Sequence, residues 1–204
     1  MDAIIFDIDG TLLHSVEIDE ALFRMAISSA INNVEIRPEF SDYDHVTDSG
    51  IVSQIIRDNA VDNEAEVVRT IKKRFIGMLS EHVAANGPFP VFPGARNYLQ
   101  RFIASTDSEV AIATGGWRDS AILKLESAGL GDLGVPVATS DDAMDRIGIM
   151  QHALSQMSGE FTSVTYYGDG EWDRRATTEL GWNFVPVGAA LGGIRSYEDL
   201  QEIM

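Results

Sequence analysis

The segment Ala3-Ile4-Ile5-Phe6-Asp7-Ile8-Asp9-Gly10-Thr11-Leu12 decides how this chain reads. Four consecutive apolar residues without alternation suit a strand buried on both faces, as in a parallel sheet. The run stops at two aspartates one residue apart, followed by a glycine that permits a tight turn. Similar apolar runs recur at 110–113, 135–138, 164–167 and 184–187. Pro136 and Pro186 lack an N–H, which places the third and fifth runs toward the edges of the sheet.

Amphipathic stretches lie between the runs. Tyr98, Leu99, Phe102 and Ile103 share a helical face before the second run. Ala121, Ile122 and Leu125 share one after it, with Gly129 as the stop. Ile147, Met150, Leu154 and Met157 recur before the fourth run, and Ser196-Tyr197-Glu198-Asp199 reads as a helix start leading to Leu200 and Ile203. Strands alternating with helices of this length predict right-handed crossovers and a three-layer α/β/α, Rossmann-like sandwich. Residues 14–88 break the rhythm with helical periodicity (Ile18, Leu22, Met25; Val67, Ile71, Phe75, Met78), and Gly87-Pro88-Phe89-Pro90 marks their exit. The expected organisation is an α/β core from 1–13 and 89–204, with a helical cap inserted at 14–88. The other reading is that 14–88 merely covers one sheet face.

The composition narrows the partners. Lysine and arginine total 15 against 32 aspartates and glutamates, a formal net charge of −17. Such a chain is a poor match for a nucleic acid polymer, whose non-specific binding depends on lysine and arginine. A small phosphorylated metabolite remains compatible, because a bound cation can invert the local field. The absence of cysteine excludes disulfides, thiolate zinc sites and thiol nucleophiles. No apolar stretch is long enough for a membrane span and the start lacks a signal-peptide pattern, so the expectation is a cytoplasmic monomer or homodimer.

Two motifs follow predicted strands: Asp7-Ile8-Asp9-Gly10-Thr11 and Gly168-Asp169-Gly170-Glu171-Trp172-Asp173. In an open α/β sheet, ligands bind at the carboxyl ends of the strands. If the first and fourth strands are neighbours, Asp7, Asp9 and Asp169 meet there, with Asp173 one turn further on. Carboxylates so close raise the cost of one another's ionisation, and a hard divalent cation such as Mg2+ relieves it. Asp7 can attack phosphorus, Asp9 can transfer protons, and Gly10 lets the backbone approach the substrate.

These motifs resemble the haloacid dehalogenase superfamily over essentially the whole chain. The resemblance implies Asp7 as nucleophile and Asp9 as general acid/base, and the second aspartate argues against carbon–halogen hydrolysis. It implies Thr114, in Ile112-Ala113-Thr114-Gly115-Gly116, as the phosphate donor, aided by the Gly115 N–H. It further implies Mg2+ held by Asp7, the Asp9 carbonyl, Asp169 and Asp173. The Phe92-Pro93-Gly94-Ala95 turn is similar to the one that resumes the core after the cap. The family's third-motif lysine is missing from 140–146, where Arg146 is the stand-in; its rival role is a surface ion pair with Asp142.

The position of the cap resembles the phosphoglycolate phosphatase and β-phosphoglucomutase branch. The expected activity is a Mg2+-dependent phosphatase acting on a sugar phosphate, phosphoglycolate or a nucleotide. The alternatives are a phosphomutase and a non-catalytic phosphoryl-ligand-binding protein. His14, Glu17, His45 and Thr47-Asp48-Ser49-Gly50 are candidate substrate-facing residues. Lys72-Lys73-Arg74 reads as a wet helix face, while Arg118 and Trp172 stand at undecided positions beside the site.

Overall fold

The computed structural model describes residues 1–201, and its centre is a five-stranded, all-parallel sheet. Strands β1 (Asp2–Phe6), β2 (Ser108–Ala113), β3 (Val137–Ala138), β4 (Ser163–Gly168) and β5 (Asn183–Pro186) lie in the order β3-β2-β1-β4-β5. Phe6 is in register with Ile112 on one side and Tyr167 on the other. The residues that leave β1, β2 and β4 therefore emerge side by side. The two proline-bearing runs form the edges, as the missing N–H groups require.

Helices α1 (Val16–Ala30), α2 (Asp48–Asp58) and α3 (Glu64–Asn86), with a 3-10 turn at Phe40–Asp42, occupy the insert between β1 and β2. The remaining helices are α4 (Ala95–Ile103), α5 (Arg118–Ser127), α6 (Arg146–Ser155), α7 (Glu171–Leu180) and α8 (Glu198–Gln201). One sheet face buries Phe6, Ile112 and Tyr167 against Tyr98, Leu99, Leu125 and Tyr197; the other buries Ile5, Ala111 and Tyr166 against Ile149, Met150 and Ala176. Phe6 stacks on Tyr167 at 4.5 Å, and the hydroxyls of Tyr98 and Tyr167 share a 2.8 Å hydrogen bond. Burying each such side chain contributes about 1.5–3 kcal/mol.

Several helical faces differ from the sequence pattern. Ile18 and Met25 of α1 are exposed, and the buried stripe is Phe23, Ala26 and Ile27. The 3.6-residue period fits both stripes, and Phe23 wins because its ring meets Phe75 of α3 and Trp117 edge-on, at 5.2 and 5.4 Å. In α6, Ile149, Met150 and Ala153 are fully buried, whereas Ile147 and Leu154 are only half-buried. In α4, Ile103 is exposed. Ile203, expected on the last helix, lies outside the described residues.

The insert shares its apolar cluster with the first sheet face, and its polar contacts reach the strand-end loops. Asp48 accepts the N–H of Trp117, and its own N–H bonds to the Gly115 carbonyl at 2.8 Å. Thr47 donates to the carbonyl of Met144, and Ser49 donates to that of Ser140 while accepting the Trp117 indole N–H. Lys72 is not simply wet surface: it pairs with Asp141 and lies over the Trp117 ring. Behind this contact Lys124 of α5, 1% exposed, places its Nζ 2.6 Å from Asp19 Oδ1 of α1 and 2.6 Å from Asp9 Oδ2.

Burial favours the neutral amine at Lys124, but Asp19 and Asp9 outweigh it and hold the ammonium. Lys124→Met leaves two enclosed carboxylates without their cation; a loss of about 3 kcal/mol in urea unfolding is expected. Burial, reinforced by Asp19, raises Asp48 to about 8, and burial raises Asp19 to about 6 despite Lys124. Both acids bind protons more readily folded than unfolded, so their contribution is present at acid pH and lost as pH rises through these values. The melting temperature should fall between about pH 4 and about pH 8, and Asp48→Asn should flatten the upper part of that fall.

Candidate active site

The sheet delivers its polar residues to one edge. Asp7 follows β1, with its N–H bonded to the Tyr167 carbonyl; Thr114 follows β2 and Asp169 follows β4. Asp173 comes from the first turn of α7, where its Oδ2 accepts the Gly170 N–H. One carboxylate oxygen each from Asp7, Asp169 and Asp173 lies within 4.8 Å of the others. Gly10 has φ +75°, and a Cβ there would collide with the Asp169 carboxylate. This loop packs against the acid of β4 only because position 10 has no side chain.

Arg146 enters the site. It is the first residue of α6, whose N-cap Asp145 accepts the Gly148 N–H at 2.8 Å. Its Nη1 lies 3.4 Å from Asp7 Oδ1, its Nε 3.3 Å from Asp173 Oδ1, and its Nη2 donates to the Val46 carbonyl of the insert. Asp142, the rival partner, pairs with Arg118 instead, at 2.6 Å. That ion pair and a bond to the Val137 carbonyl also hold Arg118 outside the cavity lining. A Cβ at Gly115 would press on the Arg146 guanidinium, so this glycine makes room for it.

The charge balance at this edge is incomplete. Burial, against the pull of Arg146, raises Asp7 well above the usual carboxylate range. Burial together with Asp173 raises Asp169 to about 7, and burial raises Asp173 as well. Asp173 Oδ1 and Arg146 Nε are buried without a hydrogen bond; they attract by charge but are not aligned as donor and acceptor. A hard divalent cation fits this all-oxygen donor set and would restore the ionised forms.

The expected convergence of acids is met with one change of membership. The side chain of Asp9 is not in the cluster with Asp7, Asp169 and Asp173. It accepts from the Ser15 hydroxyl and from Lys124, whose Nζ is 2.7 and 2.6 Å from its two oxygens. Asp9 nonetheless lines the same cavity, of about 200 Å³, together with Asp7, Thr114, Gly115, Arg146 and Asp169. Thr114 is 1% exposed, and its Oγ1 accepts the Gly116 N–H.

Other candidates divide. Thr47, Asp48 and Trp172 line the cavity, whereas His14, Glu17, His45, Ser49 and Gly50 do not. His14 stacks on Phe92 at 3.8 Å. The residue that sequence reasoning missed is Lys124. It sits between apolar helix positions in the pattern of a solvated lysine, and only its tertiary neighbours reveal a buried cation.

A family model described as haloacid dehalogenase-like hydrolase matches residues 1–181. No curated protein matches the chain. Among solved structures, CbbY from Rhodobacter sphaeroides in complex with phosphate is similar at 17% identity and a TM-score of 0.71, covering 96% of this chain and 90% of that one. A β-phosphoglucomutase from Clostridium difficile is similar at 14% identity and a TM-score of 0.71, covering 98% and 87%. A phosphoglycolate phosphatase described as putative, from Lactobacillus plantarum, is similar at 15% identity and a TM-score of 0.65, covering 99% and 98%. At these identities the solved structures speak for the fold, while the family model spans the strand-end aspartates. The chain belongs to the haloacid dehalogenase-like hydrolases.

Proposed function

We propose that this enzyme is a Mg2+-dependent phosphatase that hydrolyses a small phosphate monoester through an aspartyl phosphate on Asp7. The observation that carries the reading is the Asp7 carboxylate at the strand edge, flanked by Arg146 and by the acids Asp169 and Asp173. Asp7 attacks phosphorus, the ester oxygen leaves, and water then cleaves the acyl phosphate to regenerate the carboxylate. Asp9, on the same cavity wall, gives a proton to the leaving oxygen and takes one from the attacking water.

Thr114 and the Gly115 N–H hold phosphoryl oxygens in this reading, and Arg146 keeps positive charge beside the transferring group. Asp7, Asp169, Asp173 and the Asp9 carbonyl are the residues that would hold Mg2+, whose chemistry is to offset the charge gathered by nucleophile and phosphoryl group. Residues 14–88 serve as the cap over the core of 1–13 and 89–204. On this reading the chain is a member of the phosphoglycolate phosphatase and β-phosphoglucomutase branch, for which the insertion point and the similar solved folds are the support.

Phosphate release across a panel of phosphorylated metabolites tests the activity. Release should require Mg2+, stop with EDTA, and fall by at least about 10³-fold in Asp7→Asn. Isomerised ester in excess of free phosphate would assign a mutase instead. Arg146→Ala should lower kcat by about 10²- to 10³-fold, whereas Arg146→Lys should keep part of it, since an ammonium retains the charge but not the planar fork. Steady-state kinetics on the best substrate checks both.

A further inference from the structure

We propose that the alcohol carried by the substrate bears no second anionic group, and that an amine-bearing alcohol is preferred over an uncharged one. This rests on the phosphatase reading and deepens it, and the cavity wall opposite the strand ends carries it. The insert contributes four carboxylates to that wall, from Asp19, Glu20, Glu39 and Asp48, and no lysine, arginine or histidine. Among the described residues, the only basic one lining the cavity is Arg146, at the phosphoryl end and already engaged with Asp7 and Asp173.

The nearby cations are already paired, two of them with acids of this same wall. Lys124 is shared between Asp9 and Asp19. Arg24 pairs with Glu20, donates to the carbonyls of Arg37 and Pro38, and lies over the ring of Phe40. Lys72 and Arg118 are held by Asp141 and Asp142. Lys124 and Arg24 balance Asp19 and Glu20, and burial keeps Asp48 largely protonated near neutral pH, so among the described residues the unpaired charge of this wall is that of Glu39. A carboxylate or second phosphate on the leaving group would lose water beside it with no cation to receive it. An ammonium meets the opposite situation, with Glu39 on an exposed segment of the wall. Phe23, Phe40 and Ile51 supply apolar surface for a short carbon chain.

The test uses three esters of nearly equal size: 2-aminoethyl phosphate, propyl phosphate and phosphoglycolate. Their binding to the Asp7→Asn protein is measured by calorimetry with Mg2+ at low salt, so that turnover does not enter. Phosphoglycolate should bind at least about tenfold more weakly than propyl phosphate, and 2-aminoethyl phosphate more tightly than both. Glu39→Lys in the same background should narrow the span between the amine and the acid by about threefold or more. Phosphoglycolate binding as tightly as propyl phosphate, 2-aminoethyl phosphate binding no tighter than propyl phosphate, no binding by any of the three, or a span that Glu39→Lys leaves unchanged would each overturn the proposal. Loss of the phosphatase reading shows separately, as no phosphate released from any ester by the unsubstituted enzyme, whatever the binding order.

Discussion

Three carboxylates held against one another at the end of a parallel sheet repel, and most of the polar architecture of this protein manages that repulsion. Adjacent parallel strands in register bring Asp7 and Asp169 together, and the first turn of α7 adds Asp173. Arg146 supplies one positive charge among them, yet the acids stay raised because burial outweighs it. The helix that carries Arg146, its Asp145 cap and the missing side chain at Gly115 all serve to deliver that guanidinium. A second ionic centre, Lys124 between Asp9 and Asp19, joins the same edge to the insert.

The two centres divide the labour of the cavity. At the sheet edge the donors suit phosphoryl oxygens and a hard cation. On the insert side the wall is acidic and apolar. The carbonyl, hydroxyl and carboxylate groups of residues 46–49 bond to Arg146, Met144, Ser140 and Trp117, so the strand-end loops and the insert meet over a few residues. Part of the large net negative charge thus lines the cavity.

The strands were legible because burial in a parallel sheet demands short, largely apolar runs, and at β1 and β4 such a run ends in an acidic turn. Asp7 and Asp169 were legible for the same reason, being the first polar residues after β1 and β4, whereas Thr114, the first after β2, was reached through the family resemblance. The face of α1 was not, since Ile18 and Met25 satisfy the helical period as well as Phe23 and Ile27 do, and only packing against Phe75 and Trp117 separates them. Lys124 and the side-chain direction of Asp9 depend on each other and on Asp19, at separations of more than a hundred residues in sequence for Lys124. Local pattern holds no trace of such a partnership.

Arg146 touches three parts of the chain at once: Asp7 after β1, Asp173 in α7 and the carbonyl of Val46 in the insert. A guanidinium reaches all three because its donors fan out in a plane, whereas an ammonium offers its charge at one point. Position 146 is therefore epistatic with its neighbours. A lineage exchanging arginine for lysine here must also resettle Asp173 and the segment around Val46, so the effect of the exchange depends on residues brought together from distant parts of the sequence.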